Sequence, residues 1–439
     1  MKYTILGSKV DTKLQNYVDI IVDEIIKSIP DTLSVILGGG FGKEEGSVEI
    51  DGDKVIPIND FDIYVITKKK VPDSLLNNIA NQATERLDIK NKGLEFYKFD
   101  RKQYSNTFYL DLKTIPVNKL KSLPPMIRYY EIRNASTVIY GKDYRHLIPD
   151  YDLKDIPLAE GFRFLLNRMA LLVEYFSTDY LRGKITYGEY KGLKYLACVK
   201  SFIACAEGLL MLSGKFVPTY RGRAKMLSKT YKQDFPELYK KLPKLAKKVE
   251  QATNFKLNSK FDKQEDPFDL WYDAAYHIGE VTKYFVSKWM DIEITNYHEL
   301  SQVIYKKTWP DYFGPYARWF LKKKTKMDFG NTIPAYLAKK YMTLSYHSRM
   351  KNFRGIDHKE ILTNKISPDL TMYAVLPELV YAFNKDRTLN KSMLLRAARL
   401  NHKVFPTHIK HLEDEYDLWE YIAKNFADAY ILFCFLKIV

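Results

Sequence analysis

The chain has 439 residues, of which 46% are hydrophobic and 28% charged, with a formal net charge of +16 and an isoelectric point near 9.2. These values are those of a soluble globular protein rather than a low-complexity chain, and the length allows two or three domains with separate cores. The basic balance points to an anionic partner, either nucleic acid or a polyphosphate ligand, and does not choose between them. Three cysteines, Cys198, Cys205 and Cys434, cannot form a disulfide framework, so a reducing compartment is expected. The opening MKYTILGSKVDTKLQ has no leader pattern, and the apolar tail from Tyr430 to Val439 is too short to span a bilayer. The expected setting is cytoplasmic, with no membrane span.

In chain order, residues 11–28 repeat apolar side chains at helical spacing, with Asp11 placed to cap the N-terminus. Val35, Ile36 and Leu37 read as a buried strand that breaks at Gly38-Gly39-Gly40. VEIDGDKVIPI reads as a hairpin turning at Asp51-Gly52. Asp60 and Asp62 then alternate with Phe61, Ile63 and Val65, which in a strand sets both carboxylates on one face. Such a pair needs a countercharge. A hard divalent cation supplies one, and Mg²⁺ completes its shell with water and phosphate oxygens. The glycines upstream let backbone N–H groups approach a phosphate. Together these features suit phosphoryl or nucleotidyl transfer. A helix over 73–88 and strands over 93–100 and 107–115 complete an α/β region ending near residue 150.

Beyond residue 150 the period becomes helical, clearest over 161–176, 190–213 and 267–290. The lysine-rich stretch 248–266 reads as a divide between helical modules or as a long loop. The expected organisation is a catalytic domain over 1–150, a helical nucleotide- or substrate-binding domain over 151–250 and a C-terminal helical domain over 251–439. The fold class is thus α+β with a small mixed sheet, followed by a large, mostly α-helical region.

Two phosphate-binding patterns are excluded. Around Gly42-Lys43 a P-loop would need glycine at Leu37 and a hydroxyl at Glu44, and the dinucleotide fingerprint would need glycine at Glu45. The arrangement Gly39-Gly40, a spacer and Asp60-Phe61-Asp62-Ile63 resembles the nucleotidyltransferase superfamily typified by DNA polymerase β. The string Gly-Gly-Phe-Gly-Lys-x-Glu-Gly from Gly39 to Gly46 is similar to a subgroup with a GG-aromatic-G-basic-x-E-G loop. The resemblance covers roughly the first third of the chain. Glu44 stands where that subgroup usually has glycine, and Gly40 where many relatives have serine. The latter leaves the phosphate to backbone N–H groups, Lys43 and Ser47.

The resemblance implies a helical domain closing over the nucleotide, two Mg²⁺ ions (Mn²⁺ as a substitute) and a third carboxylate on a neighbouring strand. Asp111 is the foremost candidate because it is the one acid within an apolar strand-like run; Glu95 competes, and Asp100 is weaker. Asp60, Asp62 and Asp111 would then be catalytic and metal-binding, one ion activating a hydroxyl and the other gripping the triphosphate. The helical domain would bring cations to the triphosphate. Lys200 and Arg168 are the expected ones, with structural pairing to Glu207 and Glu174 as the alternative reading, and Tyr220, Arg221 and Arg223 follow close by. Arg163 is a further cation in an apolar helix.

His408 and His411 read as a solvated helix face. So do the clusters Lys240–Lys248 and Lys322–Lys326, while Lys391, Arg396, Arg399 and Lys403 form the better stripe for a nucleic-acid backbone. The expected activity is Mg²⁺-dependent transfer of a nucleoside monophosphate from an NTP, such as ATP, to a hydroxyl of a small molecule, sugar or protein, with release of pyrophosphate. The alternatives are an enzyme extending RNA or tRNA 3′ ends, which the basic charge favours, and an inactive nucleotide-binding scaffold.

Overall fold

The computed structural model describes residues 1–58, 60–88, 90–91, 107–108, 110–261, 265–350, 367–405 and 414–430, with backbone alone at 90–91, 107–108 and 346–350. Glu95 and Asp100 with their expected strand, His408, His411, Cys434 and the tail beyond Tyr430 lie outside the described residues.

Helix α1 (Ser8–Ser28) begins earlier than its periodicity suggests, and Gly7 rather than Asp11 flanks it. Asp11 is buried in the first turn. Its Oδ1 accepts hydrogen bonds from the N–H of Tyr3 at 3.1 Å, the N–H of Thr4 at 2.9 Å and the Thr4 hydroxyl at 3.0 Å, so it folds the preceding segment back onto the helix. Strand β1 (Thr32–Leu37) follows, then a single helical turn Gly39–Gly42 and the hairpin β2 (Val48–Asp51) and β3 (Lys54–Pro57). Gly52 turns that hairpin with φ +56°, a conformation that glycine adopts without a Cβ penalty.

Strand β4 (Phe61–Thr67) is linked through α2 (Asp73–Arg86) and the segment beyond it to β5 (Leu110–Pro116). Helix α3 (Ile127–Asn134) and β6 (Thr137–Gly141) close the sheet in the order β5-β4-β1-β6. Strands β4 and β5 run parallel and the other pairs antiparallel, so the sheet is small and mixed.

Alternation divides the sheet's two faces. Val35, Leu37, Ile63 and Val65 pack with Leu14, Val18 and Ile21 of α1 and Ile79 of α2. Ile36, Tyr64, Ile66 and Ile115 pack on the other side with Ile132 of α3. By the same parity Asp62, Asp111 and Lys113 belong to this second face. A polar set therefore continues an apolar face at the strand ends where the sheet core stops.

From Ala159 onward the protein is mostly helical, in accord with the fold class read from the sequence. The helices that matter to the site are α4 (Ala159–Tyr175), α5 (Tyr187–Leu212), α6 (Tyr220–Asp234), α7 (Leu245–Leu257) and α8 (Pro267–Met290). They share one apolar core with the later helices, running from Ala159 to Tyr430. Its centre is aromatic: Phe176 lies 4.5 Å from Trp271, 5.5 Å from Trp419 and 5.6 Å from Phe383. The Trp271 indole N–H donates to the Leu172 carbonyl at 2.9 Å, so its one polar atom is satisfied within the core. Helix α5 is long and apolar enough to cross a bilayer, but 83% of its apolar window is buried inside the protein, which makes it a core helix.

The stretch 248–266 is not the long loop that its lysines suggest, because α7 runs through it to Leu257. Val249, Ala252, Thr253, Lys256 and Leu257 of that helix are buried, a spacing the polar composition conceals.

Glu45 ties the glycine turn to the helices. It is 1% exposed and accepts from the backbone N–H of Tyr220 at 2.6 Å and of Arg221 at 3.1 Å, two orphan donors at the start of α6. Glu45→Ala is expected to lower the unfolding free energy by about 2–3 kcal/mol, the size expected for lost capping bonds that leave helix donors unmet. Arg221→Ala removes only a half-exposed partner and should cost no more than about 1 kcal/mol. Urea unfolding of both variants checks the difference.

Candidate active site

The site forms where β1 ends and β4 and β5 begin. The Gly38 N–H donates to the Asp62 carbonyl at 2.8 Å, which holds the glycine turn against β4. Gly39 has φ +57°, and a Cβ there would sit 1.9 Å from Asp62 Oδ2. Only glycine lets the turn lie this close to the carboxylate. Below the turn Phe41 stacks on Phe61 with ring centres 4.4 Å apart, anchoring the loop in the sheet core.

Asp62 pairs in register with Asp111 across the parallel strands β4 and β5, and so the two carboxylates share one face. Asp60 immediately precedes β4 and is exposed. Asp62 lies inside the strand and Asp60 one residue before it at its mouth, close enough for its charge to act on Asp62. Burial first, then the charges of Asp111 and Asp60, push the Asp62 carboxyl up to about 7. Lys113, two residues beyond Asp111 on the same face, approaches Asp111 Oδ2 at 2.5 Å and supplies part of the countercharge.

Near the acids lies a group of cations, of which Lys43 acts on Asp62. Lys43, at the end of the glycine turn, is buried and pairs with Glu131 of α3 at 2.6 Å. Arg223 of α6 pairs with Glu207 of α5 at 2.5 Å and reaches the same Glu131 at 3.5 Å. Lys256 of α7 is 1% exposed, and its ammonium donates to Ser47 Oγ at 3.1 Å. Around the Tyr220 ring lie Lys256 at 4.3 Å, Arg223 at 4.6 Å and Lys43 at 5.3 Å from the centroid, within cation–π range. Burial, and next the charge of Lys200, lower the Lys256 ammonium well below its ordinary range. Positive charge is therefore crowded here despite Glu45, Glu131 and Glu207. Tyr175, at the end of α4, is within reach of Asp60: burial raises its hydroxyl, then the charges of Glu174 and Asp60.

Most residues singled out from the sequence meet in this region. Gly39, Gly40, Lys43 and Ser47 form the turn and the residues after it, Asp60, Asp62 and Asp111 the acidic side, and Tyr220 the centre of the cations. Lys200 follows a π-helical segment of α5, Leu193–Val199, and acts electrostatically on Lys256. Arg168, half-buried on α4, acts on Tyr220. Glu207, offered as a partner for Lys200, instead holds Arg223. Arg163 belongs to a separate ion pair with Glu160, beside Tyr316.

The stripe expected to hold a nucleic-acid backbone is partly internal. Arg396 Nε lies 3.0 Å from the fully buried Glu378, and the Lys403 ammonium donates to the Tyr305 hydroxyl at 2.8 Å. Lys256, Glu131 and Lys113 are the members that sequence reasoning missed. Lys256 lies on the buried face of α7, a face that the surrounding lysines conceal in the sequence.

Among the described residues no group of three His, Cys, Asp or Glu side chains converges as a metal-holding cluster. The donor chemistry nevertheless fits a hard cation: paired carboxylates in register are what Mg²⁺ takes from a protein when water and phosphate supply the rest. Asp62 and Asp111 would hold it, with Asp60 beside them.

No family model and no curated protein matches the chain. Among solved structures it is similar to spectinomycin adenyltransferase AAD(9) from Enterococcus faecialis, determined with ATP and spectinomycin, with a TM-score of 0.35 and 13% identity over 61% of this chain and 99% of that one.

Gly39 and Gly52 share a positive φ, but a Cβ at Gly52 meets nothing within 4 Å. Ala at either position incurs the left-handed penalty of about 1–2 kcal/mol, and only Gly39→Ala adds the clash with Asp62. Thermal melting should show Gly39→Ala to be the more destabilised of the two.

Proposed function

We propose that the protein is a Mg²⁺-dependent nucleotidyltransferase that moves a nucleoside monophosphate from an NTP onto a hydroxyl acceptor. The observation that carries this reading is the register of Asp62 with Asp111 beneath a glycine turn that faces a buried cation cluster. Acids and cations lie within electrostatic reach of each other, Lys43 acting on Asp62, and this is the distribution that a metal-bound polyphosphate would need.

In this reading Lys43, Lys256 and Arg223 hold the β- and γ-phosphates, with Lys200 and Arg168 adding to the field and Ser47 positioning Lys256. The Gly39-Gly40 turn brings backbone close to the phosphates, and Tyr220 fixes the spacing of the cations around its ring. Bound Mg²⁺ would supply Lewis-acid stabilisation of the phosphoryl oxygens and acidify the acceptor hydroxyl. The new O–P bond forms at the α-phosphorus as the α–β bridge breaks, and pyrophosphate leaves toward the cations. Residues 1–150 carry the acids, and the phosphate-facing part of the helical region reaches at least to α7.

A small-molecule, sugar or protein acceptor is favoured over an RNA end, because Arg396 and Lys403 of the expected RNA-binding stripe are engaged internally. The acceptor hydroxyl would enter beside Asp60, where the strand mouth is open.

Incubation with α-labelled NTPs and Mg²⁺ should release pyrophosphate and label a hydroxyl acceptor. Asp62→Asn and Asp111→Asn should each lower that rate by about 10²–10³-fold, and chelation of Mg²⁺ should abolish it. Lys256→Met, which removes a buried charged donor, should raise KM for the NTP by about ten- to a hundred-fold with a smaller effect on kcat. Pyrophosphate release that survives both Asp substitutions would overturn the assignment, and labelling of added tRNA in preference to small hydroxyls would shift it to the RNA version.

A further inference from the structure

Helices α10 (Trp309–Thr325) and α11 (Thr332–Met350), counted after α9 (Tyr297–Lys306), form a hairpin at the edge of the helical region. Thirteen large hydrophobic side chains are exposed among the described residues, and eight of them lie between Phe320 and Leu344. On α11 they are Ile333, Tyr336, Leu337, Tyr341 and Leu344, between 51% and 71% exposed. Their spacing of three, four and seven puts them on one helical stripe. That stripe faces away from the helical core, since Ala335, Ala338 and Met342, on the opposite side of α11, are the residues that pack into it. The helix thus carries apolar residues on both sides, and the outer set is left uncovered. Phe320, Met327 and Phe329 extend the patch across the end of α10.

The same surface is strongly basic. Between Phe320 and Ser345 stand six lysines and one acid, Asp328, which is already held by Arg318 at 2.6 Å and Lys322 at 3.3 Å. The lysines are interleaved with the rings: Lys324 lies 5.9 Å from the Phe320 ring centre, Lys340 5.7 Å from Tyr336 and Lys323 4.9 Å from Trp319. Lys340 projects from the middle of the apolar stripe. Long basic side chains beside aromatic rings, with aliphatic tips at the same level, match a boundary between hydrocarbon and anionic headgroups.

We propose that the α10–α11 hairpin docks the protein peripherally onto an anionic lipid bilayer, the apolar stripe entering the headgroup boundary and the lysines contacting lipid phosphates. Charge selects this occupant. A second copy of the chain would bring six lysines against six, with one acid, already held by Arg318 and Lys322, to answer them. A nucleic-acid backbone would satisfy the lysines and leave Ile333, Leu337 and Leu344 uncovered. An anionic bilayer satisfies both sets at once. The surface is separate from the cleft, and the inference does not depend on the activity proposed there.

Co-sedimentation of the full chain with phosphatidylcholine vesicles, with and without phosphatidylglycerol, tests it. Binding should require phosphatidylglycerol and weaken as salt is raised. Leu337→Asp with Leu344→Asp, and separately Lys324→Glu with Lys340→Glu, should each reduce partition by about ten-fold or more. All four positions are exposed, so melting temperatures should stay unchanged and separate lost docking from lost folding. The proposal is overturned if the protein ignores anionic vesicles or if the variants partition like the parent. It is equally overturned if sedimentation without lipid shows self-association that the leucine variant abolishes.

Discussion

Like charges held together where water is scarce set the terms for the rest of this molecule. The parallel pairing of β4 with β5 fixes Asp62 opposite Asp111, and the glycine turn lies over Asp62 so closely that no side chain fits between them. Removing a carboxylate from water is costly, and a second one beside it adds repulsion. Both effects are visible in Asp62, which burial and then its acidic neighbours raise to about 7. Countercharge has to come from outside the pair. Lys113 gives some of it from the same strand as Asp111, and the remaining demand suits a divalent cation, which oxygen ligands bind without a pre-formed protein cage.

The helical region answers with the opposite problem. Lys256, Arg223 and Lys43 surround one tyrosine ring, and the proximity of Lys200 together with burial disfavours the charged form of Lys256. Glu131 and Glu207 neutralise part of the excess, and both lie on helices that pack at the cleft. Glu45 has another task. By capping α6 from within the glycine loop, it fixes the distance between the acidic and basic halves. Removing it would loosen that spacing before it changed the charge of either half.

Much of this was legible in the residues, because strand alternation and glycine chemistry act locally. The hairpin at Gly52, the strand carrying Asp62 and the isolation of Asp111 within an apolar run follow from period and composition alone. What stayed hidden depends on contacts far apart in the chain. Glu131 lies in RYYEIRN, where nothing marks it as the shared partner of Lys43 and Arg223. Lys256 sits in a segment so rich in lysine that a helix with a buried face reads as a solvated loop. Asp11 has the residue type of a helix cap, yet the chain before it folds back and takes its oxygen. Asp60 obeys the alternation, but the strand begins one residue after it.

The cations behind the net charge of +16 separate into groups once the contacts are known. One part is neutralised in the helical region, where Lys241 meets the buried Glu280 and Arg396 the buried Glu378, and adds nothing to the net charge. Those cations cannot serve a long polyanion without giving up buried partners, a loss of the kind that makes broken internal ion pairs expensive. A second part crowds around the Tyr220 ring, where Lys43, Arg223 and Lys256 are buried. A third part lies on the α10–α11 hairpin among exposed rings and aliphatic side chains. A uniform basic coat would attract nucleic acid along its length; this division instead separates a buried group of cations from an exposed surface that is both basic and apolar.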